Sequence, residues 1–136
     1  MISIELKTIK FIFIFAGVYD IILGIFSLFL TDYLAVLLNI PSPRPLIFPQ
    51  ISGLFLIALG YLLLYATKDI SKFAFIGFAS LIVRYSFVLI VILTILTQKI
   101  ELIYLFIAFT DFLTGSLLLT TFFSKEIDVG SFFNFN

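Results

Sequence analysis

Residues 73–96 read FAFIGFASLIVRYSFVLIVILTIL, an apolar run about one bilayer long with a single formal charge, Arg84, near its centre. An ionised side chain at mid-membrane costs roughly 2.5–3.5 kcal/mol on insertion scales. Another part of the chain is therefore expected to offset that cost. Two further apolar runs each carry one carboxylate near their own midpoint, Asp20 in 11–30 and Asp111 in 102–123. Each charge lies within about two residues of its helix centre, or roughly 3 Å along the axis. Matched depth and opposite sign make pairing the least costly arrangement.

Composition agrees with the membrane reading. Of 136 residues, 62% are hydrophobic and 12% charged, whereas soluble domains have about 45–50% and about 25%. The mean hydropathy is +1.28. The formal net charge is zero, so there is no basic field to attract nucleic acid. The chain has neither Cys nor His. That removes disulfides, thiolate chemistry, the usual zinc and iron–sulfur sites and His-ligated haem.

Four spans are expected, as helices over about 8–30, 50–67, 72–97 and 101–123. The first run is longer than the apolar core of a secretory signal and holds an acid, so it is read as a retained span. Residues 32–40 are too short to cross and are expected at the interface. Pro41, Pro43, Pro45 and Pro49 then interrupt helix, with Pro49 placed where one can start. The turns at 68–72 and 97–101 are tight and polar, which predicts antiparallel neighbours. Tyr65 and Tyr104 fit interfacial belts. The tail 124–136, with Phe132, Phe133 and Phe135, is expected at the interface or disordered. The fold class predicted is an all-α, integral-membrane four-helix bundle forming one domain over 1–136. Four spans put both termini on one side, with Lys7, Lys10, Lys68, Lys72 and Lys125. The other side holds Arg44 and Lys99. That asymmetry predicts cytoplasmic termini in a cytoplasmic membrane.

Small residues accompany each charge at helical spacing: Ala16, Gly17 and Gly24 beside Asp20; Ser80 and Gly77 before Arg84; Ala108, Thr114 and Gly115 beside Asp111. Close helix approach in lipid requires such residues. One Arg and two Asp sum to −1. The surplus carboxylate is then protonated, hydrated or held by a donor such as Tyr19, Tyr61 or Tyr85. The cluster reads either as a polar clasp fixing helix register or as the polar end of a lipophilic pocket. A conducting path would string polar groups along the membrane normal, and these share one depth. Gly-rich phosphate loops, a nucleophile elbow and metal-spaced clusters are absent from the sequence.

The stretches Phe15-Ala-Gly-Val-Tyr-Asp-Ile-Ile-Leu-Gly24, Ile40-Pro-Ser-Pro43, Phe48-Pro-Gln-Ile-Ser-Gly53 and Ala58-Leu-Gly-Tyr61 resemble the DoxX-like and BphX-like group of small four-helix membrane proteins. The resemblance is specific over 15–65. Beyond that it rests on apolar helices with Arg84 and Asp111. It implies a compact bundle in the cytoplasmic membrane. Some relatives are associated with quinone-linked sulfur oxidation and others with aromatic-compound operons. The more distant EXPERA group holds sterol-like ligands. The absence of Cys argues against a thiol-dependent member. The expected function is a non-enzymatic structural or accessory subunit of a membrane complex, with membrane lipids and other subunits as partners and no resident cofactor. The alternative is an intramembrane binder or redox partner of a quinone or sterol-like lipid, with Arg84 holding a carbonyl or carboxylate.

Overall fold

The structure, a computed structural model, describes residues 4–97, 102–124 and 127. Among them the regular structure is entirely helical: α1 Leu6–Phe29, α2 Thr31–Leu37, α3 Ile47–Ala66, α4 Ile70–Thr97 and α5 Leu102–Thr121. Helix is what such sequences must form in lipid, because it satisfies backbone polar groups within the segment. The chain forms two compact units, Met1–Phe13 with Ala66–Asn136, and Ile14–Tyr65. Lys99 and most of the tail, including Lys125, Phe132, Phe133 and Phe135, lie outside the described residues.

In the first unit, Asp69 starts α4. Its carboxylate accepts the Lys72 backbone N–H at 3.1 Å, an N-cap that satisfies one of the free donors of the first turn. The buried residues Ile70, Ala74, Gly77, Leu81, Arg84 and Val91 follow a spacing of fours and threes along α4. That is the core stripe of a left-handed helix pair, and Arg84 occupies one of its positions. Gly77 lies under the fully buried Phe13 ring from the start of α1. On α5 the buried or half-buried Ala108, Asp111, Gly115 and Leu118 form the same kind of stripe. The Phe78 ring meets Phe122 edge-on at 5.8 Å. After Thr121 the chain tightens: Phe122, Phe123 and Ser124 donate to carbonyls three residues back. The regular helix therefore stops two residues before the expected 123.

In the second unit, α1 and α3 cross through paired glycines. A Cβ on Gly60 would lie 2.5 Å from the Gly17 carbonyl oxygen, and one on Gly53 would lie 2.6 Å from that of Gly24. The two glycines on each helix are one heptad apart, so the close approach repeats after two turns. Ser27 Oγ donates to the Pro49 carbonyl at 2.7 Å and ties the end of α1 to the start of α3. α2 ends in a Schellman motif. Asn39 takes the left-handed conformation (φ 52°), its N–H reaches the Val36 carbonyl, and the Ile40 N–H reaches that of Ala35. Asp32 then accepts from the Ser42 hydroxyl and from Arg44 Nη2 at 3.3 Å, folding the proline-rich connection back onto α2. α3 begins at Ile47 rather than near 50, with Pro49 inside its first turn. The missing Pro49 N–H would have no helical partner there anyway, so the proline does not bar two earlier residues from joining.

Surface and interior are inverted relative to a water-soluble fold. Large apolar side chains are exposed on every helix, among them Phe11, Val36, Phe55, Leu96 and Phe106. The buried set includes Asp20, Ser80, Arg84, Thr114 and Thr121. In water so much exposed apolar surface would drive association. Against lipid tails it costs nothing, and the polar groups are the ones that must turn inward.

Candidate functional site: the Arg84 centre

Arg84 and Asp111 occupy the middle turns of α4 and α5. The Arg84 side chain is 3% exposed and that of Asp111 14%. Arg84 Nη1 donates to Asp111 Oδ1 at 2.9 Å and to Thr114 Oγ1 at 2.9 Å. A guanidinium Nη carries two hydrogens, and both are committed. Thr114 is one turn beyond Asp111, so the two acceptors stack on one face of α5. The Thr114 hydroxyl donates within α5, to the carbonyls of Thr110 at 2.9 Å and Asp111 at 3.2 Å, which leaves an oxygen lone pair to accept from Arg84. The contact is charge-assisted and sits where little water competes.

The neighbouring turn holds a second, neutral contact. Ser116 Oγ donates to the Phe112 carbonyl at 2.8 Å. The Tyr85 hydroxyl, 3.3 Å from Ser116 Oγ, is therefore the donor in that pair. The Tyr85 ring also meets Phe112 edge-on at 6.1 Å. Gly115 lies beneath these groups. A Cβ there would be 3.7 Å from Arg84 Cβ and from the Tyr85 ring, an ordinary contact distance. Small size is thus less critical at Gly115 than at Gly17, Gly24, Gly53 or Gly60.

Of the residues singled out from the sequence, Arg84 and Asp111 are brought into direct contact. Asp20 is 1% exposed on α1, and within its own unit it lies against Gly60, whose Cβ would be 3.1 Å from that of Asp20. Tyr19 is half-buried next to it on α1. Two expectations are corrected. Tyr61 does not turn inward; it is 63% exposed. It follows Gly60 by one residue, about 100° around the helix, so facing Gly60 to α1 carries Tyr61 off that face. The Tyr85 hydroxyl serves Ser116 rather than a carboxylate. Thr114 was visible in the sequence only as a small residue near Asp111. Its spacing of three from Asp111 was the available sign of its role as a second acceptor.

The sequence matches no protein-family model, no curated protein and no solved structure. What the chain itself defines is a class. Four described helices, Leu6–Phe29, Ile47–Ala66, Ile70–Thr97 and Ile103–Thr121, are long and apolar enough to cross a membrane. The protein is a helical, multi-pass membrane protein.

Proposed function

We propose that this chain is a non-enzymatic structural or accessory subunit of a membrane complex, with its helices held in register by a polar cluster of Arg84, Asp111 and Asp20. One observation carries the reading: Arg84 stands in the core stripe of α4 with both Nη1 hydrogens committed to α5. A polar residue at one core position typically selects register and partner at some expense of stability. A guanidinium used this way orients the two helices it joins. Asp20 joins the proposal because its depth matches and its side chain is buried. A double-mutant cycle of Asp20→Asn with Arg84→Gln should show a coupling of about 1 kcal/mol or more. Additive effects would remove Asp20 from the cluster.

The resemblance of residues 15–65 to DoxX-like proteins and the lysine asymmetry support a cytoplasmic membrane with both termini inside. The deciding experiment is purification in mild detergent after in-membrane cross-linking. A stoichiometric membrane-protein partner is expected. Recovery of the chain alone, with a stoichiometric quinone or sterol-like lipid, would replace this reading with the ligand-binding one. The partial exposure of Asp111, 14%, is the feature that favours that second reading.

A further inference from the structure

We propose that a cleft in the Ile14–Tyr65 unit binds the primary-ammonium headgroup of a membrane phospholipid of the phosphatidylethanolamine class. The cleft encloses about 150 Å³, is partly open, and is lined by Leu28, Phe29, Thr31, Asp32, Leu46 and Gln50. A space of that size, partly open and with polar groups in its lining, suits a headgroup rather than an acyl chain. Its level is set by the chain itself. The apolar α1 ends at Phe29 and the apolar α3 begins at Ile47, so the cleft lies where hydrocarbon gives way to water.

The lining favours an ammonium. Both hydrogen bonds to Asp32, from Ser42 and Arg44, fall on Oδ1; among the described residues none falls on Oδ2. The Gln50 side-chain amide makes no hydrogen bond among the described residues, so its Oε1 is available. The Thr31 hydroxyl donates to the Ser27 carbonyl, which leaves its oxygen as an acceptor. Asp32 Oδ2, Gln50 Oε1 and Thr31 Oγ1 offer three acceptors, one of them anionic, to the three N–H donors of a primary ammonium. Leu28, Phe29 and Leu46 provide apolar contact for the ethylene and glycerol carbons. The Arg44 guanidinium, exposed and 3.3 Å from Asp32, is placed to take the phosphate that follows. A quaternary choline has no N–H to give, and a glycerol headgroup has no positive charge for Asp32.

This inference rests on the multi-pass membrane reading but not on the Arg84 cluster, whose test reads helix stability instead. The experiment is native mass spectrometry of the detergent-solubilised protein with equimolar phosphatidylethanolamine, phosphatidylcholine and phosphatidylglycerol of identical chains. Ethanolamine lipid should be retained at least about fivefold over choline lipid, the ratio for about one net hydrogen bond. Asp32→Asn combined with Gln50→Leu should reduce that ratio to about one. Mono- and dimethylated ethanolamine lipids, tested on the unaltered protein, should fall in steps as donors are lost, which needs no variant to fold. Equal retention of ethanolamine and choline lipids, or a preference that survives both substitutions, would overturn the assignment. Soluble phosphoethanolamine should not displace the lipid even in large excess. Displacement at equimolar concentration would assign the site to a soluble amine and overturn the lipid claim.

Discussion

Arg84 Nη1 lies 2.9 Å from Asp111 Oδ1, across 27 residues of chain and from the middle of one apolar helix to the middle of the next. The pair converts two side chains that lipid would reject into one contact that joins α4 to α5. Its charges are desolvated on both sides, so removing either partner leaves the other costly.

Arg84→Leu should therefore lower stability by about 3 kcal/mol, the lower end for breaking a buried pair, since the Asp111 side chain is 14% exposed rather than fully enclosed. Thermal unfolding in a mild detergent is the measurement, and a wild-type transition would end the clasp interpretation. Arg84→Lys should recover less than half of the loss. Both contacts leave one nitrogen, Nη1, whose position and two N–H directions are fixed by the guanidinium plane, and an ammonium on a shorter, freely rotating stem does not hold a nitrogen at that point.

Thr114→Val keeps the shape of the side chain and removes its acceptor. A hydrogen bond to a charged group contributes about 1.5–3 kcal/mol, so a loss of about 1.5 kcal/mol is expected. In the Arg84→Leu background the same substitution should cost much less. Additive losses would mean that Thr114 acts through packing alone.

The glycine contacts separate two kinds of small residue. Gly60→Ala would push a methyl to 2.5 Å from the Gly17 backbone oxygen, and α1 and α3 would have to move apart. Overpacking of this kind costs about 1–3 kcal/mol. Gly115→Ala meets only ordinary contacts at 3.7 Å and should stay within about 0.5 kcal/mol of wild type. Equal sensitivity at the two sites, read from unfolding temperatures, would contradict the packing described.

The chain has no cysteine, so single-cysteine labelling has no background. Pro41 and Ser71 are both exposed outside or at the ends of the long helices. With cytoplasmic termini, Pro41→Cys should react with an impermeant maleimide added outside intact cells, and Ser71→Cys only after permeabilisation. The reverse pattern would invert the topology.

Run length and hydropathy were enough to establish four long apolar helices and the membrane class. Each run is long enough to cross hydrocarbon, and backbone hydrogen bonding in lipid leaves helix as the way to cross singly. Sequence also marked Arg84 and Asp111 as partners, because a charge at mid-span needs an opposite one at the same depth. Rotation about the helix axes was not legible in the same way. With apolar residues all around each helix, no hydrophobic face distinguishes inside from outside, so Tyr61 could be assigned to the wrong side. Only the tertiary structure decided that Gly17 faces Gly60 and Gly24 faces Gly53, that Thr114 shares the Arg84 nitrogen with Asp111, and that Tyr85 turns to Ser116. Those choices depend on which pairs of backbones can approach most closely, and the distance of approach belongs to two helices at once.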